Sequence, residues 1–257
     1  MKQTDTRTMS FINLFAILGA LPSLCELSDE ARAIIAGKKI SVGIEVKGGP
    51  AGVLHFEDGK MRVTEGCGKC DIKLPFGSPE KFNGMIDGTV TPILSKGFTK
   101  LGFLLGPFTK LTDLLSKYLR PTEEDLKDEQ FYRTSTLLMF HVITGAVAQI
   151  GNEDKVGRAS ASYIVDGNVR MAITEGGEVQ TAAHIVAKDH RLCTVHTDTN
   201  APMSYMEFEG VRNARGLFDG VASSFTLICD GKLRMGGMIS QLDNVNRILD
   251  RVGLYLA

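Results

Sequence analysis

The sequence carries no excess of either charge: 29 Lys and Arg stand against 30 Asp and Glu, for a formal net charge of -1 over 257 residues. A protein built mainly to grip nucleic acid concentrates positive charge, so that class is disfavoured. Low-complexity tracts are missing as well. With 43% hydrophobic and 23% charged residues, the body of the chain has the composition of a folded globular protein. Cysteine is scarce and odd in number, five in all, which does not suit the disulfide framework of a small secreted domain and fits a reducing cytoplasm. Also missing are a nucleophile elbow, a phosphate loop and a dinucleotide fingerprint. The nearest approach, Gly-Cys-Gly-Lys-Cys at 66–70, lacks the loop length and the Ser or Thr of a Walker motif. The expectation is a non-enzymatic chain that needs no cofactor.

What is present begins with length, enough for one large domain or two of ordinary size. Residues 1–120 hold 16 basic against 12 acidic side chains, and the remainder reverses the balance with 13 against 18. Much of that acidity lies in "PTEEDLKDEQ", residues 121–130, which reads as a linker entering the acidic first turn of a helix. Near the N-terminus, "FINLFAILGALPSL" (11–24) has the length of a signal-peptide apolar region, but no small-residue cleavage pattern follows it.

An internal echo settles how that segment is read. "NGMIDG" (83–88) returns as "RGLFDG" (215–220), 132 residues later. The same offset brings Leu74 and Phe76 onto Met206 and Phe208, Met61 onto Cys193, Val63 onto Val195, and Val53 and Leu54 onto Ile185 and Val186. Beyond the Asp-Gly pair the offset becomes 134, so that Gly97 meets Gly231 and Leu101 and Gly102 meet Met235 and Gly236. Phe108, Leu111, Leu114, Leu115 and Tyr118 then overlay Leu242, Val245, Ile248, Leu249 and Val252, at the three-and-four spacing of a helix with one buried stripe. Residues 11–24 find a counterpart in 131–150 and are therefore expected to be a domain's first helix. The chain reads as a tandem duplication, with units at 1–121 and 122–257.

Each unit follows one order. A long apolar helix leads into alternating segments: "SVGIEV" (41–46), "GVLHF" (52–56) and "KMRVTE" (60–65) in the first, "SASYIV" (160–165), "VRMAIT" (169–174) and "RLCTVHT" (191–197) in the second. These alternations predict strands. Asp58-Gly59, Asp166-Gly167 and Asp230-Gly231 lie between such runs and suit tight hairpin turns, which favour antiparallel pairing. A short helix, more extended chain and a terminal helix complete the unit. The predicted class is α+β: in each unit a small, mostly antiparallel sheet of about five strands, covered on one face by helices.

The closing stretch, "YMEFEGVRNARGLFDGVASSFTLICDGKLRMGGMISQLDNVNRILDRVGLYLA", resembles the second half of a sterol carrier protein type two domain. The cues are a polar-then-apolar strand, a helix ending in an acidic-glycine step, then Gly-Lys-Leu with further glycine and a last amphipathic helix. That resemblance implies an apolar tunnel between sheet and helices that takes fatty acyl chains, acyl-CoA or other lipids. It places Phe225, Leu227 and Met235 on strands facing the ligand, with Met238, Ile239, Leu242, Val245 and Leu249 completing the lining. Ten methionines and no tryptophan suit an adaptable apolar lining. The first unit has "GFTKLGFLLGP" where the second has "GKLRMGGM", so its pocket is expected to differ.

Three further features carry chemistry. Cys67 and Cys70 form Cys-Gly-Lys-Cys, a spacing open to a metal site, a redox pair or an idle glycine-rich turn. His184, His190 and His196 share strand parity. A three-residue turn would pair His184 with His196, a two-residue turn at Asp189-His190 would pair it with Val195, and a half-exposed sheet would leave the histidines facing solvent. Residues 93–120 combine bulky apolar residues with five basic ones and only Asp113. Phe98, Lys100, Phe103, Leu104, Phe108 and Lys110 there are candidates for transient contact with an anionic membrane, or for an apolar stripe packed on the sheet.

The resulting expectation is a cytoplasmic, non-catalytic protein that binds and shuttles acyl lipids, with no nucleic-acid partner. The rivals are an accessory protein-interaction module with occluded cavities and a thiol or metal protein built on Cys67 and Cys70. Neither the lipid nor the oligomeric state follows from the residues.

Overall fold

A computed structural model describes residues 4–198 and 201–256. The chain divides into two compact units, one ending at Leu126 and the next beginning at Lys127. The break falls five residues after the expected boundary at 121. The Thr122 hydroxyl donates to the Asp125 carboxylate at 2.6 Å, and Asp125 lies 3.6 Å from Lys117, which ties this stretch back to the helix before it.

The first unit opens with α1 (Thr6–Ile12), a π-helical turn (Asn13–Ile17), a 3-10 turn (Leu18–Ala20) and α2 (Leu21–Leu27), followed by α3 (Asp29–Ile34). Pro22 removes one backbone donor near the start of α2, and the ladder upstream is irregular as that loss requires. Four strands follow: β1 (Lys39–Val46), β2 (Ala51–Glu57), β3 (Lys60–Glu65) and β4 (Ile72–Phe76). They make a sheet of order β3-β2-β1-β4, antiparallel except for the parallel β1–β4 pair. The expected fifth strand is reduced to one bridge between Lys73 and Lys96. Then come α4 (Pro79–Ile86), α5 (Leu101–Phe103), a π turn with Pro107 inside it (Leu104–Phe108) and α6 (Thr109–Leu119).

The second unit begins with α7 (Glu129–Glu153), unbroken over 25 residues and without proline, and α8 (Lys155–Ala161). Five strands follow in the chain: β5 (Gly167–Glu175), β6 (Glu178–Lys188), β7 (Arg191–Val195), β8 (Ser204–Glu209) and, after α9 (Val211–Phe218) and α10 (Ser224–Cys229), β9 (Leu233–Gly237). The terminal helix is α11 (Ile239–Tyr255). Strand order is β7-β6-β5-β8-β9, again with one parallel pair, β5–β8. Both units are therefore α+β. Residues Thr6–Leu27 and Glu129–Glu153 are long and apolar enough to cross a membrane, yet 67% and 83% of their most apolar windows are buried, as in core helices.

The Asp-Gly echo encodes one helix ending. Asp87 and Asp219 have φ,ψ of (-80°, 0°) and (-79°, -2°), and Gly88 and Gly220 follow at φ +72° and +70°. The next two amides, of Thr89 and Val90 or of Val221 and Ala222, donate to Gly84 or Gly216. Glycine is needed at the second position for the left-handed turn. Asn83 and Arg215 then reach the first helix of their own unit, Asn83 to Asn13 at 2.9 Å and Arg215 to Ser135 at 2.9 Å.

The ladders correct the sequence alignment elsewhere. With Leu74 set on Met206, the pairings Leu74–Ile44–Gly52 and Met206–Met171–Ala183 place Gly52 on Ala183, an offset of 131. Val53 therefore matches His184, not Ile185, and Leu54 matches Ile185. Met61 and Val63 shift likewise onto Leu192 and Thr194. A one-residue slip exchanges the two faces of a strand, and a match of apolar on apolar cannot detect it. The 134 offset also fails between the Asp-Gly step and the last helix, because Leu101 and Gly102 are helical whereas Met235 and Gly236 are strand. "SASYIV" is not a strand: Ser160 and Ala161 end α8. Asp230-Gly231 joins a helix to a strand, and the hairpin of β5 and β6 turns at Gly176-Gly177 instead.

Candidate functional site

The helix-facing side of each sheet is closed by apolar side chains. Val42, Ile44, Leu54, Phe56, Ile72 and Leu74 share one face of the first sheet and are at most 2% exposed. Phe103 and Phe108 pack edge-on against Phe56, at centroid distances of 5.0 and 6.2 Å. In the second sheet Val169, Met171, Ile185, Leu192, Met206 and Phe208 form the matching layer.

The eight residues proposed to line a lipid tunnel fall into two groups. Leu227, Leu242 and Val245 are buried, and Leu249 is half-buried. Phe225, Met235, Met238 and Ile239 are exposed, at 75%, 38%, 37% and 81%. The strand assignment of Phe225 and Leu227 is corrected, since both lie on α10. Val221 and Ile228 extend the exposed set. Met238 is the N-cap of α11, and its amide donates to Ser204 Oγ at 3.0 Å, while Ser204 donates to Gln241 at 2.8 Å and Gln241 to the Val165 carbonyl at 2.9 Å. The start of the terminal helix is thereby fixed to the edge of β8, directly beside the exposed apolar residues.

The membrane candidates of the first unit divide in the same way. Phe98 and Lys110 are exposed. Phe103, Leu104 and Phe108 are buried and leave the surface set, because the stripe they form packs on the sheet. Lys100 is engaged with Asp71 at 2.5 Å, and this contact together with Ser41 holds the Asp71 carboxyl down at about 2.

On the opposite sheet face, residues that follow the third strand of each unit lie against the strands: Cys67 and Cys70 in the first, Asp198 in the second. In the second unit Arg170 and His184 pair across β5 and β6, and Asp198 closes on them. Arg170 donates to Asp198 at 2.7 and 3.0 Å and to Glu207, and Glu207 also meets Arg234 at 3.3 Å. His184 is buried, with Nδ1 accepting from Asn168 at 3.1 Å and Nε2 3.7 Å from Asp198. It is not solvent-facing, as a half-exposed sheet would have left it. The Arg170 guanidinium lowers the Asp198 carboxyl below its ordinary range. In the first unit Gly43 stands where Arg170 does and Val53 where His184 does, and Cys70 lies over Gly43.

The two-residue turn is the one adopted: Asp189 and His190 both have positive φ, and His184 pairs with Val195. His196 faces α7, where its ring lies 4.4 Å from that of His141 and its Nε2 is 3.0 Å from Thr144 Oγ1. His141 meets Thr181 at 3.1 Å. Burial, then the neighbouring His196, pushes the His141 imidazolium down to about 3, and burial lowers His196 as well. Sequence reasoning missed His141 because a histidine inside an apolar helix gives no periodic signal. It missed Gly43 and Arg170 as a matched pair because they lie 127 residues apart, an offset that the 132-residue echo does not bring together. The Gly inside "SVGIEV" was a usable sign, since glycine in a strand interior marks a close approach.

Among the described residues no group of three or more His, Cys, Asp or Glu is placed to hold a metal ion. No family model matches the sequence, and no curated relative matches it. Solved structures of sterol carrier protein 2 domains are similar to part of the chain. The sterol carrier protein domain 2 of Helicoverpa armigera matches with 10% identity and a TM-score of 0.36, over 46% of this chain and 88% of that one. Sterol Carrier Protein 2 from Yarrowia lipolytica, in its apo form, matches with 13% identity and a TM-score of 0.35, over 44% and 90%. Sterol Carrier Protein 2 from Aedes aegypti, in complex with palmitate, matches with 14% identity and a TM-score of 0.28, over 42% and 94%.

Proposed function

We propose that the chain is a tandem of two related units and that it binds long-chain acyl lipids without covalent chemistry, the second unit holding the ligand between its sheet and α9, α10 and α11. The observation that carries this reading is the exposed apolar set between Val221 and Ile239. Six large apolar side chains there lie open to water, next to the buried stripe Leu242, Val245 and Ile248 of α11. Such a concentration calls for a partner that covers it. An acyl chain entering beside Phe225, Met235, Met238 and Ile239 would continue the apolar layer already formed by Met206, Phe208 and Leu233. The sequence resemblance of residues 205–256 supports the same site. A cytoplasmic setting and transient contact of Phe98 and Lys110 with a membrane surface belong to this reading.

Titration of the delipidated full chain with a fluorescent long-chain fatty acid tests it. Phe225→Asp and Ile239→Asp alter exposed positions, so folding should survive, while binding should weaken about tenfold or more because the ligand would bury an unpaired charge. Met238→Asp places a favoured capping residue at the start of α11 and serves as a folded variant at the same mouth. Val156→Asp, at an exposed position of α8, should bind as the unaltered protein does. If no acyl probe binds saturably, the carrier reading fails and the accessory interaction module replaces it.

A further inference from the structure

The loop that crosses the first sheet carries sulfur where the second unit carries an ion pair. It leaves β3 with the Gly66 amide donating to the Ala51 carbonyl at 2.7 Å, and it returns with the Asp71 amide donating to the Ser41 carbonyl at 3.1 Å. Both ends are thus fixed to the sheet, and Ser41 and Lys100 hold the Asp71 carboxylate as well. Between them Cys67 is exposed and Cys70 is half-buried. The two line one concavity with Gly43, Glu45, Val53 and Lys73, with room for little more than a water molecule. Lys73 is paired there with Glu45, and Glu45 chiefly, then the two thiols, raises its ammonium above the ordinary pKa. Gly43 lies inside β1, where glycine weakens a strand, and the neighbouring thiol explains it: a Cβ at that position would sit 2.7 Å from Cys70 Sγ.

We propose that Cys67 and Cys70 form a redox-active dithiol that exchanges with low-molecular-weight disulfides of the glutathione type. Cys67, the exposed thiol, attacks as its thiolate on one sulfur of the disulfide. The sulfur–sulfur bond breaks, one thiolate leaves and takes a proton from water, and Cys67 is held in a mixed disulfide. Cys70 then loses its proton and attacks Cys67 Sγ, expelling the second thiolate, which is protonated in turn. Two protein thiols are oxidised to one disulfide, and one external disulfide is reduced to two thiols. Lys73 lies beside both sulfurs, where its positive charge favours the anionic attacking and leaving sulfur. Among the described residues no third His, Cys, Asp or Glu is placed with the two thiols to hold a divalent metal. The new ring spans only Cys67 to Cys70, inside a loop already fixed at both ends. A closure that short constrains the unfolded chain little, so the bond serves exchange more than stapling.

The full-length protein is equilibrated across a series of glutathione redox buffers, quenched by alkylation and digested after lysine. Cleavage at Lys69 separates Cys67 from Cys70, so their peptides remain joined only by the disulfide. The expected result is one joined species, lighter by two hydrogens, that appears in a single transition. Cys70→Ser should trap Cys67 as the mixed glutathione disulfide, and Cys67→Ser should slow reaction of the site about tenfold or more. Lys73→Met should slow Cys67 severalfold, while the exposed Cys193 and Cys229 serve as internal references. Separate glutathione adducts on both cysteines without a joined peptide would overturn the proposal. So would a Cys67 rate equal to those of Cys193 and Cys229, or one equivalent of zinc lost in the Cys67→Ser, Cys70→Ser protein. None of these outcomes touches lipid binding, which rests on the other unit.

Discussion

The two units build the same strand order and then diverge at the places where one element must be held against another. Between the first helical segment and β1 or β5, both place a short helix with a polar cap. In the first unit the cap is Ser28, whose Oγ accepts the Ala31 amide at 3.3 Å. In the second it is Asp154, 3% exposed, whose Oδ1 accepts the Val156 and Gly157 amides at 2.9 Å while Oδ2 accepts Arg251 at 2.6 Å and Tyr255 at 2.8 Å. One carboxylate thus caps α8 and anchors the last turns of α11. Burial alone would raise its pKa, but Arg251, the Gly157 amide and Tyr255 together bring it below the ordinary carboxylate range. The comparison teaches that a shared topology leaves the choice of fastener open, and that the second unit has concentrated its fastening in a few buried charges.

The largest expected effect follows from that concentration. Asp154→Ala removes one partner of a buried ion pair and the α8 cap together, and should cost about 3–5 kcal/mol. Ser28→Ala should cost about 1 kcal/mol, the usual value for losing a helix cap. Hydrogen exchange of the full chain, read by peptide mass, assigns each loss to its unit, with fast exchange in α11 the signature of the first. Similar small losses at both positions would mean that Arg251 and Tyr255 contribute packing and not charge.

Next in size is a difference in acid sensitivity. An unfolded histidine takes up a proton near pH 6.5, whereas His141 in the folded second unit does so only near 3. Between those values the unfolded state binds more protons, so the stability of the second unit should fall as pH drops from 6.5. The loss at His141 is about 2–3 kcal/mol by pH 4.5. The first unit has His55, lowered by burial and then by Arg62 but itself only half-buried, and its slope should be much shallower. His141→Gln should flatten the slope of the second unit. Equal slopes in the two units would remove the histidine pair as the cause.

A smaller effect tests the exchanged crossover loops. Gly43→Ala sets a methyl group against Cys70 Sγ, and the expected cost is about 1–2 kcal/mol, with faster exchange across residues 66–71. Arg170, at the matching position, tolerates a long side chain because Asp198 and Glu207 receive it. If Gly43→Ala leaves the loop unchanged, the glycine is incidental and the close thiol contact is soft.

Much of this architecture was legible in the residues. Period-two alternation found five of the strands, the Asp-Gly echo found the paired helix endings, and the three-and-four spacing found the stripe of α11, because each depends on local geometry that repeats in sequence. Register was not legible: "GVLHF" and "AHIVA" match as apolar runs at an offset of either 131 or 132, and only the ladder decides. "SFTLIC" reads as a strand by its Phe, Thr and Ile, yet Ser223 and the turn at Asp230 enclose a helix of six residues. Arg170 sits within "VRMAIT" at what alternation treats as a solvent position. Its burial arises from Asp198, 28 residues away, which no local pattern announces.

The smallest effect concerns the hairpin that joins the second and third strand of each unit. The first uses Asp58-Gly59, with φ of 46° and 80°, and the second Asp189-His190, with φ of 50° and 61°. Both are the two-residue turn whose twist matches the strands, and it demands positive φ at both positions. Glycine meets that demand without strain, whereas His190 holds a Cβ in the left-handed region, where L-residues are disfavoured. His190→Gly should therefore relieve the strain, but it also lengthens the list of conformations open to the unfolded chain. The net gain should be about 0.5–1 kcal/mol, in a direction opposite to Gly59→His in the first unit. His190 is exposed, so no packing is lost by removing its ring. Slower exchange across β6 and β7 in His190→Gly, with the first unit unchanged, is the expected result. A loss of stability would show that the His190 side chain has a role in the second unit that its turn geometry does not reveal.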